Sequence, residues 1–218
     1  MASTAPQIVV GVDASPTAAG AAVWAIDEAV SRQIPLLLVG GTESDVRRAA
    51  AAVEASGRPV VVRTAVTATP AQALLDASHT AAMVCVSGAA AAGPLLDSPR
   101  CPVAVVRGTG RGQVVAEVDG TPHSAAVLQF AVAEARLRSA PLRVMGTGQA
   151  RLDDRPSHWR QRYPDLDARP IRAALLDYLS GRADDIALVV LGDGNPSARA
   201  VLEHTDRTLL VLDRQHLV

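Results

Sequence analysis

The sequence predicts an α/β protein made of two tandem, doubly wound halves. Three observations carry that expectation. The chain repeats itself without a gap, apolar runs of strand length alternate with helical periodicity, and the apolar side chains are small. Of 218 residues, 49 % are hydrophobic but only five are aromatic: Trp24, Phe130, Trp159, Tyr163 and Tyr178. A core of Ala, Val and Leu suits close packing of helices on a parallel sheet and argues against an aromatic-rich sandwich.

The repeat is the strongest signal. Residues 8–41 align with residues 114–147 at a constant offset of 106, with 12 identities in 34 positions. Val12–Asp13 answers Val118–Asp119, Pro16 answers Pro122, and Pro35–Leu36 answers Pro141–Leu142. Ala25, Glu28, Ala29 and Arg32 answer Ala131, Glu134, Ala135 and Arg138. A gapless match of this length marks a tandem duplication. The stretch RGTGRGQ at 107–113 reads as a short linker, which gives halves at 1–108 and 112–218.

In the first half, Ile8–Val12 is a continuous apolar run, as expected of a strand buried on both faces. Ser15 is placed to cap a helix with Pro16 at its first position, where the missing N–H costs nothing. Ala18, Ala22, Ala25, Ile26, Ala29 and Val30 form its apolar face, and Pro35 ends it. Leu36–Val39 is the second strand. Glu43–Ser56 is a helix stopped by Gly57. Val60–Val66 is the third strand, and Thr69–Pro70 opens a helix running to about His79. Ala82–Val86 and Val103–Val106 close the half. The second half repeats the order: strand Val114–Val118, helix from Thr121–Pro122 to Arg138, strand Leu142–Met145, helix Asp153–Tyr163, strand Asp167–Ile171, helix Arg172–Ser180, then strands Ile186–Leu191 and Thr208–Leu212. Five parallel strands per half fit a doubly wound sheet with right-handed crossovers.

Composition narrows the function. All 21 basic residues are Arg and lysine is absent. A Walker-type P-loop, a protein-kinase site and a Schiff-base enzyme each need a Lys. Net charge is −1 and the pI is about 6.5, which points away from nucleic acid. No signal-like start or membrane-length apolar run is read, so the expected location is cytoplasmic, with no membrane partner. Cys85 and Cys101 form no disulfide framework; buried, they act as small apolar side chains, with a redox pair as the alternative. His79, His123, His158, His204 and His216 have no metal-ligand spacing. His158, Trp159 and Tyr163 read as one helix face covering the second sheet, with a ligand pocket as the alternative.

The segments VVGVDASP (9–16), WAIDEA (24–29), IPLLLV (34–39) and CPVAVVR (101–107) resemble the universal stress protein family. VAEVDGTP (115–122) resembles a degenerate repeat of the same domain. The whole is similar to tandem-domain members of actinobacteria, including some linked to hypoxia and dormancy. The resemblance implies a Rossmann-like strand order 3-2-1-4-5 in each half. It also implies pairing of the two domains through their last strands into a pseudo-dimer, which covers two apolar edges that would otherwise invite aggregation. Further homo-oligomerisation and an unidentified protein partner are compatible with it.

In nucleotide-binding members the ligand lies at the carboxyl ends of strands 1 and 4, the topological switch point. Carried onto this chain, the resemblance implies Asp13, Ala14 and Ser15 beside the nucleotide and Gly40–Gly41 at the adenine. It places Ser87 and Gly88 at the phosphates. The alternative for Asp13, and for Asp119, is a helix cap that needs no ligand. The family's phosphate loop is G-x-x-G, nine residues, then G followed by Ser or Thr, a pattern that brings backbone N–H groups onto phosphate oxygens. Here Ala91 stands three residues after Gly88, and the short connection to Cys101 is expected to lack room for the loop and a full helix. Asn195 stands three residues after Gly192, and Asp193 adds negative charge. Tight ATP binding is therefore not expected. Arg100 or Arg107 could serve a loose anion site. No catalytic constellation is found, so the expected function is a non-enzymatic regulatory or interaction module. The competing readings are a nucleotide-dependent sensor with adenine or AMP near Asp13 and Gly40, and a nucleotide hydrolase.

Overall fold

A computed structural model describes residues 6–97, 99–108, 112–147, 150, 152, 156–181 and 185–213. The middle of the expected linker (109–111), the start of the helix expected at Asp153, and His216 lie outside the described residues. The chain divides into two compact units, Met1–Thr109 and Gly110–Val218.

The first unit runs β1 (Ile8–Val12), α1 (Ala18–Arg32), β2 (Leu36–Gly40), α2 (Glu43–Ala55), β3 (Val62–Val66), α3 (Pro70–Ala77), β4 (Met83–Val86), α4 (Ala89–Asp97) and β5 (Val103–Val105). Its strands lie in the order β3-β2-β1-β4-β5, every neighbouring pair parallel. Ile8, Val9, Val10, Leu36, Leu38, Met83, Val84 and Cys85 are fully buried, which explains why these strands read as continuous apolar runs. Helix α1 packs through small residues, with Ala18, Ala21, Ala22, Ala25 and Ala29 all buried.

The second unit runs β6 (Gln113–Val118), α5 (Ser124–Leu137), β7 (Leu142–Gly146), α6 (Pro156–Arg162), β8 (Ala168–Ile171), α7 (Leu175–Ser180), β9 (Ile186–Gly192), α8 (Ser197–His204) and β10 (Leu209–Leu212). Its order, β8-β7-β6-β9-β10, is the same 3-2-1-4-5 pattern, again all parallel. The repeat extends to detail. Val12 pairs with Gly40 and Val118 with Gly146. Gln33 and Ser139, 106 apart, both take left-handed conformations (φ 56° and 50°) just past α1 and α5, ending those helices two residues before the prolines. Buried Glu28 pairs with Arg32, and Glu134 with Arg138.

The connection after Gly88 has no room for both a loop and a helix: α4 begins at the next residue and spends no chain on a loop. Two expectations are corrected. Helix α1 starts at Ala18, so Ser15 is not its cap and Pro16 is not its first residue; Thr17 holds the cap position without a side-chain hydrogen bond. Helix α7 begins at Leu175, later than Arg172, after Ala174 in extended conformation. Among the described residues, no helix is long and apolar enough to cross a membrane.

Candidate functional site

A doubly wound sheet presents its loops at the carboxyl ends of the strands, with a crevice where the strand order reverses. In the first unit that point lies between β1 and β4. All seven residues singled out there, Asp13, Ala14, Ser15, Gly40, Gly41, Ser87 and Gly88, follow or end β1, β2 or β4.

The structure brings some of them together. The Ser15 N–H donates to Asp13 Oδ1 at 2.9 Å, so Asp13 closes a local turn and caps no helix. Ser15 Oγ lies 3.1 Å from Thr17 Oγ1 and 3.4 Å from Ser87 Oγ, which ties the loop after β1 to the end of β4. Gly40 is packed: a Cβ there would meet Val46 Cγ2 at 2.7 Å and Val12 Cγ2 at 3.1 Å. At Gly41 a Cβ would touch only Pro70 Cγ, at 3.5 Å, and at Gly88 it would meet nothing within 4 Å. Arg48 of α2 reaches over this end of the sheet. Its Nη2 donates to the Asp13 carbonyl at 2.8 Å and to Asp45 Oδ1 at 2.9 Å. The sequence reading missed Arg48, because a lone Arg on an amphipathic helix is usually solvated.

The second unit holds a cavity of about 310 Å³ at the carboxyl ends of β6 and β9. Its polar lining includes Glu117, Asp119, His123, Asp193 and Asn195. Asp119 Oδ1 accepts from the Thr121 N–H (3.0 Å), Thr121 Oγ1 (2.7 Å) and Ser124 Oγ (2.8 Å). Ser124 Oγ in turn accepts from the N–H groups of Asp119 and Gly120. The Thr121 hydrogen bonds lead in holding the Asp119 carboxyl down to about 2, so it is ionised at neutral pH. Glu117 is only 3 % exposed, and its Oε2 accepts from Asn195 Nδ2 at 3.0 Å. His123 Nε2 lies 3.1 Å from the Leu212 carbonyl. Gly192 is required beside that ring, since a Cβ would stand 2.6 Å from His123 Cδ2. Glu117 also escaped the sequence reading, and His123 was weighed there only as a metal ligand. The signal for Glu117 was present: one carboxylate inside the apolar run VVAEV.

Among the described residues no group of three or more His, Cys, Asp or Glu could hold a metal ion. Cys85 and Cys101 are both buried. Trp159 is buried and packs near Tyr163, with ring centroids 6.0 Å apart, but His158 is exposed, so the expected single helix face does not include His158.

No family model matches the chain. Universal stress protein Rv2028c of Mycobacterium tuberculosis is 35 % identical over 97 % of this chain and 98 % of that protein. Universal stress protein Rv2624c of the same organism is 30 % identical over 97 % of both chains. The crystal structure of a universal stress protein from Archaeoglobus fulgidus superposes with a TM-score of 0.63, covering 95 % of this chain and 98 % of that one. At 11 % identity, that likeness shows the shared fold alone. Two relatives at this identity, matched almost end to end, show that the chain belongs to the universal stress protein family.

Proposed function

We propose that the chain is a tandem universal stress protein, with domains at 1–108 and 112–218, in which ATP binding is weak or lost. It acts in the cytoplasm as a regulatory or interaction module in stress of the hypoxia or dormancy type, and not as an enzyme. Its partner is a protein, not nucleic acid or a membrane. Family membership supports the stress-response role.

The lining of the second switch point supports the loss of ATP binding. A triphosphate needs converging N–H donors and positive potential. Glu117, Asp119 and Asp193 supply the opposite charge, and no arginine lines the cavity. In the first unit, two residues, Ser87 and Gly88, separate β4 from α4, which leaves no glycine-rich loop to wrap phosphates. The second reading is an ATP- or AMP-binding sensor using Asp13 and Gly40. It is favoured by the open space at Gly88, where a Cβ would meet nothing within 4 Å. Mass spectrometry of small molecules released from the denatured, purified chain separates the two. The first reading expects no stoichiometric nucleotide; one ATP or AMP per chain overturns it.

The domains pair through their last strands into an intramolecular pseudo-dimer. Within its own unit, β5 pairs with β4 and β10 with β9, yet Val103, Ala104, Val105, Leu209 and Leu210 are all fully buried. An apolar last strand needs a cover. Calorimetry of the full chain tests the pairing: one cooperative transition is expected, and two independent melts contradict it.

A further inference from the structure

We infer that the cavity between the carboxyl ends of β6 and β9 is a binding site for a small organic cation, a primary amine or guanidinium, with Glu117 as its anchor. This goes beyond the reading above and does not depend on whether the first unit binds a nucleotide.

The argument starts from Glu117. A carboxylate taken out of water is tolerated when it is paired or fully hydrogen-bonded. Glu117 lines the cavity while almost entirely buried, and its one hydrogen bond, from Asn195, falls on Oε2. Among the described residues Oε1 accepts no hydrogen bond and pairs with no arginine, and it is not sealed off, so it stays open to a guest.

The other groups in the cavity are also acceptors. The hydroxyls of Thr121 and Ser124 are spent as donors to Asp119 Oδ1, so neither is available to an anionic guest. His123 Nε2 faces a carbonyl oxygen and therefore carries the ring proton. That leaves a lone pair on Nδ1, which is buried and has no partner. Gly192 lets the ring sit where it does. The cavity thus combines an under-satisfied buried carboxylate, an ionised aspartate and an orphaned imidazole nitrogen. An ammonium or guanidinium group is the complementary guest, because it is all donor and no acceptor. A volume near 310 Å³ stands at the small end of ligand sites, which suits a short amine. Among the described residues no ligand set for a metal ion is present, so the cation is organic.

The test is isothermal titration of the full chain at low salt with 1,4-diaminobutane. The uncharged 1,4-butanediol and inorganic phosphate serve as controls. One saturable site for the diamine is expected, with no binding of either control. Glu117→Gln, which keeps the shape and the Asn195 contact, is expected to weaken the diamine at least about tenfold. If that variant does not fold, carbon NMR of the wild-type protein replaces it, and the Glu117 carboxyl resonance is expected to shift with diamine saturation. No saturable binding up to about 10 mM overturns the inference. So does equal binding of the diol, unchanged affinity in E117Q, or a Glu117 resonance that does not move.

Discussion

In the first half, β1 at Gly11 lies against α3: a Cβ there would stand 2.6 Å from Leu74 Cδ1 and 3.3 Å from Val86 Cγ1. In the second half the same repeat position carries Glu117, which reaches Asn195 and opens on a cavity. The neighbouring second strand, β2 or β7, keeps the same register in both halves. The contrast separates what a parallel sheet demands from what it leaves free. Strands buried on both faces must remain apolar, whereas the positions next to the switch point have room to exchange an apolar seal for a polar chamber.

The most disruptive way to break the comparison is to force the second half's residue onto the first. Gly11→Glu drives a carboxylate into Leu74 and Val86 with no Asn195 equivalent at hand, and is expected to cost at least about 3 kcal/mol. Denaturant unfolding of the full chain measures it; a loss below about 1 kcal/mol would show that this face is not sealed as described.

The glycines that end or follow the fourth strand of each half sharpen the contrast. Gly192→Ala pushes His123 off the Leu212 carbonyl and is expected to cost about 1–3 kcal/mol. Gly88→Ala points into open space and is expected to stay within about 0.5 kcal/mol. Thermal melts of the two variants should differ in that order.

The Asp119 turn gives a pH signature. Its folded pKa, about 2, lies below the ordinary 3.8. The folded state therefore gains stability from this group above about pH 4, and that gain disappears as pH falls through about 2. Because the carboxyl is largely solvated, the effect is below about 1 kcal/mol. Wild type and Asp119→Asn should differ in stability at neutral pH and converge near pH 2. A gap that persists at pH 2 contradicts the assignment. The smallest effect is expected for Arg48→Ala, about 0.5 kcal/mol, because Arg48 is exposed and its bonds compete with water.

Much of the scaffold could be read in advance. The apolar runs gave the strands because both faces are buried, and the offset of 106 gave the duplication. The prolines at 35 and 141 marked where α1 and α5 stop. The placement of the first-half candidate residues at strand ends was legible in the apolar runs that precede them. Other features depended on three-dimensional packing. Helix α4 fits after Gly88 only because no loop precedes it. Ser15 does not cap α1; its Oγ is engaged with the hydroxyls of Thr17 and Ser87. The pairing of Glu117 with Asn195 spans 78 residues and has no local signature.

The functional account stands on the proposal that both halves have lost the means to wrap a triphosphate. Calorimetric titration of the full chain with magnesium ATP addresses it directly. No saturable heat up to about 1 mM ATP is expected. One or two sites per chain with micromolar dissociation constants would contradict it.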